Sequence, residues 1–353
     1  MQSSIYKQDL LIKDLTQPTK DLLLAANLPW LNSLEFCTDY AIQPAHRILL
    51  SRDDEKIHQV VFYRLTKRVI LPFIEIVGFP DIANQDIQEL IKTCQVQLAA
   101  VNRLEQAVQP NEQWHPTQRN VYCQSYITIA KLPPTKEAYL SLLGKNKREK
   151  LPYHWRKLNR HFDNDIEIHC DSTNDIQFDD ILQLEYLNKE RRAGKGKGVD
   201  SDNEIQKRQQ QRWSTTQAIG LLITLRHNGK IICGTLNYLY RNEAFLIVIA
   251  HDSAYENLNV GTLCLWKTIE CLIAKGFNQY NFLWGRQIYK TQFLGVEYPW
   301  SIHVVSPHKW LAIAWKFQIR FKELYIRAWR FAKTRMGNNF FTTTEKNQII
   351  AKP

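Results

Sequence analysis

A short segment, Asn259-Val260-Gly261-Thr262-Leu263, places a glycine at the start of an apolar helical pattern, directly after a predicted strand. A glycine there lets the main chain approach a ligand closely, and the free N–H groups at a helix start attract an anion such as a pyrophosphate. Many αβ units place a glycine before a helix, so a purely structural turn fits the segment equally well. Neither G-x-G-x-x-G nor a parallel βαβ pattern accompanies it, which favours the pyrophosphate of coenzyme A over a dinucleotide.

Two further segments, residues 251–252 and 194–198, contain residue types that could take part in catalysis or phosphate binding. His251 and Asp252 follow the end of the preceding strand, where a base is useful, although a lone histidine at a strand end is more often a surface residue. Residues 194–198, with the sequence GKGKG, resemble a phosphate loop in composition but lack the G-x-x-x-x-G-K-[ST] spacing. A solvated linker is the favoured interpretation of this loop, and a mobile lid over an acceptor is the alternative.

The elements that must position these residues follow one another between residues 220 and 283. Two apolar runs flank the Asn228-Gly229 pair, which is the strongest short signal for a hairpin, and a third apolar run follows. Apolar residues then recur at helical spacing, at Leu265, Trp266, Ile269, Leu272 and Ile273. Gly276 is placed to end that helix, and a further apolar run predicts a strand after it. We therefore predict three antiparallel strands, a helix and a fourth strand.

The N-terminal part of the chain shows a similar order of elements. Apolar runs at 47–50, 59–63 and 73–77 predict a meander, and residues 121–129 alternate as in a half-buried strand. Between them, apolar residues recur at helical spacing, at Ile87, Leu90, Ile91, Cys94, Leu98, Val101 and Leu104. This order of elements predicts two topologically similar halves, although no fixed-period repeat is present.

The charge of the chain is concentrated in two places. The 353 residues include 46 Lys+Arg and 35 Asp+Glu, a net charge of +11. Residues 145–160 carry seven basic residues and one acidic residue (7 − 1 = +6), and residues 309–335 carry eight and one (8 − 1 = +7). The remainder therefore sums to −2, and two basic belts on a neutral body point to polyanions or anionic lipid at two defined places.

The seven cysteines contain no C-x-x-C pair, so we predict buried, reduced thiols in a cytoplasmic protein, with neither a disulfide framework nor a metal site. Residues 131–162 are predicted to be helical, broken at Gly144 and kinked by Pro152. The expected domains are a lobe at 1–130, a second lobe at 131–306, and a basic helix and tail at 307–353.

The segment 307–336 has an amphipathic pattern. At helical pitch one face collects apolar residues, namely Trp310, Ala314, Phe317, Phe321, Leu324, Ala328 and Phe331. The opposite face collects basic residues, namely Lys316, Arg320, Arg327 and Arg330. Such a helix suits an anionic membrane interface, and the alternative is a terminal helix that packs across the two halves. The packed alternative is favoured because Ile319 and Ile326 fall off the apolar stripe.

Residues 251–265, the helix that follows, and residues 280–293 (YNFLWGRQIYKTQF) resemble the C-terminal signature of GNAT-type acetyltransferases of the CelD-like, exopolysaccharide-associated group. That group is related to the Fem-type aminoacyl transferases. The resemblance implies an α+β fold of two tandem GNAT-like lobes, each a mixed, mostly antiparallel sheet flanked by helices. It also implies acetyl-CoA, or another acyl-CoA, bound to the C-terminal lobe, with an amine as acceptor. Asn281 departs from the pattern, where an Asp is usual, and so does Arg286, where the motif often has an acidic residue.

The resemblance also implies roles for individual residues. Acyl transfer to an amine needs a route for the amine proton, donors for the tetrahedral oxyanion and an acid for the departing thiolate. Tyr289 is the candidate acid and His251 the candidate base, while Arg286 and Lys290 are expected to hold an anionic acceptor or a phosphate. The alternative for Tyr289 is a packed ring whose hydroxyl caps a main-chain group.

Three functions therefore compete. The first is an acyl-CoA-dependent N-acyltransferase that modifies an amino sugar or an amino-acid-derived acceptor in polysaccharide or envelope biosynthesis. The second is a Fem-like transferase with aminoacyl-tRNA as donor, whose phosphate backbone the belt at 145–160 would contact. The third is a non-catalytic GNAT-like scaffold at the inner face of the membrane, anchored by residues 307–336.

Overall fold

The computed structural model describes residues 6–11, 46–52, 57–66, 69–72, 91–92, 97–109, 112, 121–194 and 200–308, and twelve helical positions between 310 and 328. The strands are β1 (Tyr6–Leu11), β2 (His46–Arg52), β3 (Ile57–Thr66), β4 (Val69–Pro72), β5 (Leu98–Leu104), β6 (Val121–Lys131), β7 (Glu167–Ser172), β8 (Gly220–His227), β9 (Lys230–Tyr240), β10 (Glu243–His251), β11 (Gln279–Trp284) and β12 (Gly295–Val305). The helices are α1 (Lys136–Leu142), α2 (Lys145–His161), α3 (Phe178–Gly194), α4 (Asp202–Ile219), α5 (Val260–Ala274) and α6 (Ile288–Gln292).

All twelve strands form one sheet, in the order β1-β2-β3-β4-β5-β12-β6-β11-β10-β9-β8-β7. Neighbours are antiparallel except for β4 with β5 and β10 with β11, which are parallel. β12 comes from the C-terminal half of the chain but lies between β5 and β6, pairing Trp300 with Leu104 on one side and Tyr298 with Ile127 on the other. The two halves of the sequence thus share a continuous hydrogen-bonded sheet.

The predicted order of elements in the C-terminal half is confirmed. β8, β9 and β10 form an antiparallel meander, and the turn between β8 and β9 uses Asn228 (φ 50°) and Gly229 (φ 72°). Both residue types tolerate positive φ, which a tight hairpin turn requires. α5 follows β10, Gly276 (φ 83°) comes after the C-cap residue Lys275, and β11 then enters the sheet.

Helices cover both faces of this part of the sheet. α5 buries nearly all of its apolar side chains, together with Tyr139 of α1 and Leu158 of α2, in one core cluster. Leu184 of α3 belongs to a second cluster, against which Trp213 of α4 packs. Each fully buried Leu or Ile side chain stabilises such a core by roughly 1.5–3 kcal/mol, so two helical layers fix the sheet between them.

The N-terminal prediction is partly wrong. Residues 98–104 complete the predicted helical stripe in the sequence, yet they form β5, which pairs with β12 and with β4. Of that stripe, Ile91 is helical. Strand edges on both sides supply hydrogen-bond partners to 98–104, and this pairing outweighs the local pattern. The run at 73–77 lies outside the described residues, and the strand next to β3 is β4.

The helical region before the C-terminal meander is broken as expected, since Gly144 is the N-cap between α1 and α2, and α2 continues through Pro152. Of the four cysteines whose side chains the structure describes, Cys233 and Cys264 are buried, whereas Cys170 is exposed, contrary to prediction. Across the described part of the chain, no three His, Cys, Asp or Glu side chains are placed to hold a metal ion. Nor does any helix there have the length and apolar character to cross a membrane.

Candidate active site

The parallel strands β10 and β11 separate after a short stretch of pairing. Three residue pairs join them, the last between Phe245 and Asn281. Beyond it β10 runs on to His251 and β11 to Trp284, with no further pairing between these two fully described strands. Both strands also shift register against their other neighbours near this point. Such an opening leaves main-chain N–H and C=O groups of two strands for a ligand to pair with.

α5 begins at the same edge of the sheet, because it follows β10 through a short 3₁₀ turn (Ser253–Leu258). Its N-cap residue Asn259 has φ 58°, in the left-handed region that asparagine adopts more readily than most residues. Among the described residues no side chain caps this helix start. The first N–H groups and the positive end of the helix dipole are therefore suited to an anion.

Gly261 and His251 meet at this helix start. A Cβ atom at Gly261 would lie 3.0 Å from Nδ1 of His251, so the glycine makes room for the imidazole ring. Val260 and Leu263 bury their side chains completely in the core. Thr262 is half-buried. The five predicted cofactor residues thus bring one exposed polar side chain, that of Asn259, and otherwise mainly their main chain to the helix start.

The basic helix α2 lies beside the start of α5. Nδ1 of His154 is 3.4 Å from Nδ2 of Asn259. Burial lowers the pKa of His154, and the positive charges of Lys157, Lys150 and Lys147 lower it further. These lysines are near enough to act on one imidazole, so α2 adds positive charge to the N-terminal end of α5. The charge and the helix dipole favour the same kind of ligand.

Arg191 of α3 reaches the opening from the other face of the sheet. Its Nη2 donates to the main-chain oxygen of Ile249, in the part of β10 that no longer pairs with β11 (3.4 Å), and to Oδ1 of Asn188 (3.1 Å). Its Nε is buried and has no hydrogen-bond partner among the described residues. A buried N–H without an acceptor is costly, and this one suits an anionic or carbonyl oxygen.

Tyr289 lies at the end of β11, on α6, and is partly buried against the core cluster that contains α5. Burial raises the pKa of Tyr289, and the guanidinium of Arg191 partly offsets that rise. The hydroxyl therefore keeps its proton at neutral pH. Although α3 and α6 belong to different core clusters, the charge of Arg191 acts on the Tyr289 hydroxyl, so the two side chains lie near each other.

Lys290 has a different environment from the one predicted. Only 2% of this residue is exposed, and its Nζ donates to the main-chain oxygens of Leu283 (3.3 Å) and Trp284 (2.6 Å). Burial lowers its pKa to about 8, against the opposing effect of the Glu297 carboxylate. Asn281 acts on the same strand end, since its Oδ1 accepts from the N–H of Leu283, which has φ 55°. Both side chains hold the irregular end of β11 in place.

Arg286 is paired within the protein. Its Nε donates to Oε2 of the buried Glu297 at 2.6 Å, its Nη2 donates to the main-chain oxygen of Glu112 at 2.8 Å, and it lies over the Tyr126 ring at 4.4 Å. Its charge is thus largely balanced by Glu297. The expected acceptor-binding pair Arg286 and Lys290 therefore connects β11, α6 and β12.

The structure brings His251, Gly261 and Asn259 together at the start of α5 and places Tyr289 at the neighbouring strand end. Sequence reasoning missed Arg191 and His154. His154 lies within the basic belt of 145–160, and Arg191 comes just before the glycine-rich loop. Those neighbours are the signals by which either residue could have been found.

Residues 145–291 match the family model described as acetyltransferase (GNAT) domain. This stretch includes the basic helix, the meander, α5 and most of α6. The chain therefore contains a GNAT acetyltransferase domain, and the expectation of an enzyme of the acyltransferase class is confirmed at that level. No curated protein matches the chain significantly in sequence.

Several solved structures are similar to the chain. The crystal structure of FemX is similar with a TM-score of 0.58 and 7% identity, over 84% of this chain and 97% of that one. A tandem GNAT protein from the clavulanic acid biosynthesis pathway gives a TM-score of 0.47 and 9% identity, over 87% of this chain and 100% of that one. L-PGS from Bacillus licheniformis gives a TM-score of 0.43 and 10% identity, over 79% of this chain and 89% of that one. The predicted α+β class, a GNAT fold with a mixed sheet flanked by helices, is confirmed by the family match and the FemX similarity.

Proposed function

We propose that the protein is an acyl-CoA-dependent N-acyltransferase whose active site lies where β10 and β11 separate. The observation that carries this proposal is the position of the opening, which adjoins the start of α5. An extended chain such as pantetheine can pair with the free main-chain groups of a separated strand. Its pyrophosphate would then meet the first N–H groups of α5.

The residues at the helix start fit coenzyme A. Main-chain N–H groups of Val260, Gly261 and Thr262 would hold the pyrophosphate, and Lys150 and Lys157 would add positive charge. A bound acyl-CoA supplies the activated acyl group as a thioester. The side chains around the opening must then orient it, bind the developing charge and move one proton.

Three side chains suit those tasks. Tyr289 keeps its proton at neutral pH because burial raises its pKa, so it can donate to a departing thiolate. Arg191 presents a buried Nε–H without a partner among the described residues, which suits the oxyanion. His251, next to Gly261 at the end of β10, is positioned to accept the proton of the attacking amine.

Acetyl-CoA is the proposed donor, and the amine of an amino sugar or of an amino-acid-derived compound is the proposed acceptor. The acceptor class rests on the resemblance of residues 251–293 to the exopolysaccharide-associated group. Arg286 and Lys290 stay outside this assignment because both are engaged within the protein. A role in polysaccharide or envelope biosynthesis in the cytoplasm follows from that acceptor class.

Titration calorimetry with acetyl-CoA tests the coenzyme site. We expect a dissociation constant in the micromolar range, as is common for enzyme substrates. Gly261→Leu places a side chain against the His251 ring, where a Cβ alone would be 3.0 Å away, and should weaken binding by at least about tenfold. Gly229→Asn, in an open hairpin turn whose φ asparagine tolerates, is the control. A folded wild-type protein that binds no coenzyme A would contradict the proposal.

A Fem-like transferase with aminoacyl-tRNA as donor is the second candidate. The observation in its favour is the exposed charge of α2, on which Arg148, Lys150, Arg156, Lys157 and Arg160 all face solvent. Binding of tRNA through that helix should weaken steeply between about 50 and 200 mM salt because counterions are released. Co-purified RNA, or tRNA binding that survives without any acetyl-CoA binding, would favour this candidate over the first.

A further inference from the structure

The segment after β12 begins as a helix that packs against the sheet by one side only. Leu311, Ala312 and Trp315 contact a small core cluster formed by Leu98 of β5 and Val304 of β12. At 100° per residue these three helical residues lie within about 100° of one another. In the sequence, Ile319 and Ile326 have the same helical phase as these three residues. The side of the helix that packs is therefore different from the apolar stripe identified in the sequence.

The stripe itself is exposed, although the other side of the helix packs against the sheet. Its described members with large side chains are Trp310 (65% exposed), Phe317 (67%), Phe321 (74%) and Leu324 (63%), and Ile313 (53%) and Tyr325 (47%) are exposed next to them. Ala314 and Ala328 are exposed beside them. All eight residues fall within an arc of about 120° at helical pitch. A continuous aromatic and aliphatic face of this kind is unusual on the surface of a protein in water.

The exposed face is bordered by positive charge. When the sequence is projected at the same pitch, Lys309, Lys316, Arg320 and Arg327 all fall on one border, between the packed side and the exposed side. Glu323 is the single acidic residue of the segment, whose net charge is 8 − 1 = +7. An apolar face with a basic border matches the boundary between acyl chains and anionic headgroups.

We propose that this helix docks the protein on the surface of an anionic lipid bilayer, with the Trp310–Phe321–Leu324 face in the interface. The charge favours anionic lipid, and the aromatic side chains favour the headgroup level. RNA would be attracted by the same lysines and arginines but offers no apolar phase for Ile313 and Leu324. A second copy of the chain would bury the apolar face, but it would bring together two segments that each carry a net charge of +7.

Flotation of the full-length protein with vesicles tests the proposal. We expect binding to phosphatidylcholine vesicles that contain about 30% phosphatidylglycerol, and at least about tenfold weaker binding to pure phosphatidylcholine or in about 0.5 M NaCl. Phe317→Ala/Phe321→Ala should weaken binding to the anionic vesicles by at least about tenfold as well. The control is Leu142→Ala/Ile168→Ala, which removes two exposed apolar side chains from another part of the surface.

Each outcome decides the proposal. Absence of flotation with the anionic vesicles, or equal flotation of the Phe317/Phe321 variant and the wild type, would overturn it. A dimer in sedimentation that the same variant converts to monomer, without lipid binding, would show that a second copy covers the face and would also overturn it. Acetyl-CoA binding should be the same in both double variants, so the result is independent of the proposed enzyme activity.

Discussion

The substitution Lys290→Met tests whether Lys290 stabilises the end of β11 from a buried position or binds the acceptor. Lys290 is 2% exposed, and burial lowers its pKa from 10.5 to about 8 even though Glu297 opposes the shift. In the unfolded chain the same ammonium group keeps its proton until about pH 10. Between these two values the folded protein binds fewer protons than the unfolded chain. The free energy of unfolding must therefore rise with pH in this window.

The size of the effect follows from the two pKa values. A native pKa of about 8 makes the buried lysine cost about 3 kcal/mol at pH 8 and about 1 kcal/mol at pH 10. The penalty is fully present below pH 8 and disappears as the pH rises past 10.5. Wild type should therefore gain about 2 kcal/mol relative to Lys290→Met between pH 8 and pH 10. The loss of the bonds to Leu283 and Trp284 lowers stability equally at every pH and leaves this difference unchanged.

Urea denaturation at pH 8, 9 and 10, followed by tryptophan fluorescence, measures the effect. Lys136→Met, which removes an exposed lysine at the start of α1, controls for the loss of a positive charge. A stability difference between wild type and Lys290→Met that stays flat from pH 8 to pH 10 would refute the buried position of Lys290. The side chain would then be accessible, and the expectation that it binds the acceptor would regain support.

Three other predictions concern the site and its surroundings. Arg191→Gln should lower the rate of thiol release from acetyl-CoA by about a hundredfold while changing acetyl-CoA affinity less than about threefold; equal losses in both would argue against a role in the transition state. The Sγ atoms of Cys170 and Cys271 are 2.6 Å apart, and the hydrogen bond from Cys271 lowers the pKa of Cys170 to about 7. Oxidation by glutathione disulfide should therefore form a disulfide bond between them, which peptide mass spectrometry detects. Two separately alkylated peptides would disprove this prediction. Asn281→Ala should lower the free energy of unfolding by about 1–2 kcal/mol, because the N–H of Leu283 loses its acceptor, whereas an unchanged midpoint in urea would show that water replaces the amide.

Local signals predicted the C-terminal half of the fold well. The hairpin at Asn228-Gly229, the apolar stripe of α5 and Gly276 at its end depend on neighbours within a few residues, and all three are present in the structure. The same kind of signal failed at 98–104, where a helical spacing of apolar residues belongs to a strand. There the partner strand β12 comes from about 200 residues later in the chain. No local pattern contains that information.

The candidate site was predicted in part for a similar reason. The start of α5 is a local feature, so Asn259 and Gly261 could be identified from the order of strand, turn and helix. Burial of an individual charge depends on all the elements around it, so the sequence did not show that Lys290 is buried and predicted that it binds the acceptor. The role of Arg191 could be recognised only from the packing of α3 on β10, because its hydrogen bond to Ile249 joins residues that are 58 positions apart.

By itself, the sequence determined the type and order of the elements between residues 220 and 283, the two basic belts and the glycine at the start of α5. Each of these depends on residue type and short spacing, which fix main-chain conformation and local charge. Tertiary structure alone decided that β12 joins the two halves of the sheet, that β10 and β11 separate, and that the terminal helix packs by Leu311 and Trp315. Those outcomes depend on which distant surfaces bury one another. The aromatic face beyond Trp310 is exposed because the opposite side of the helix makes the contact with the sheet.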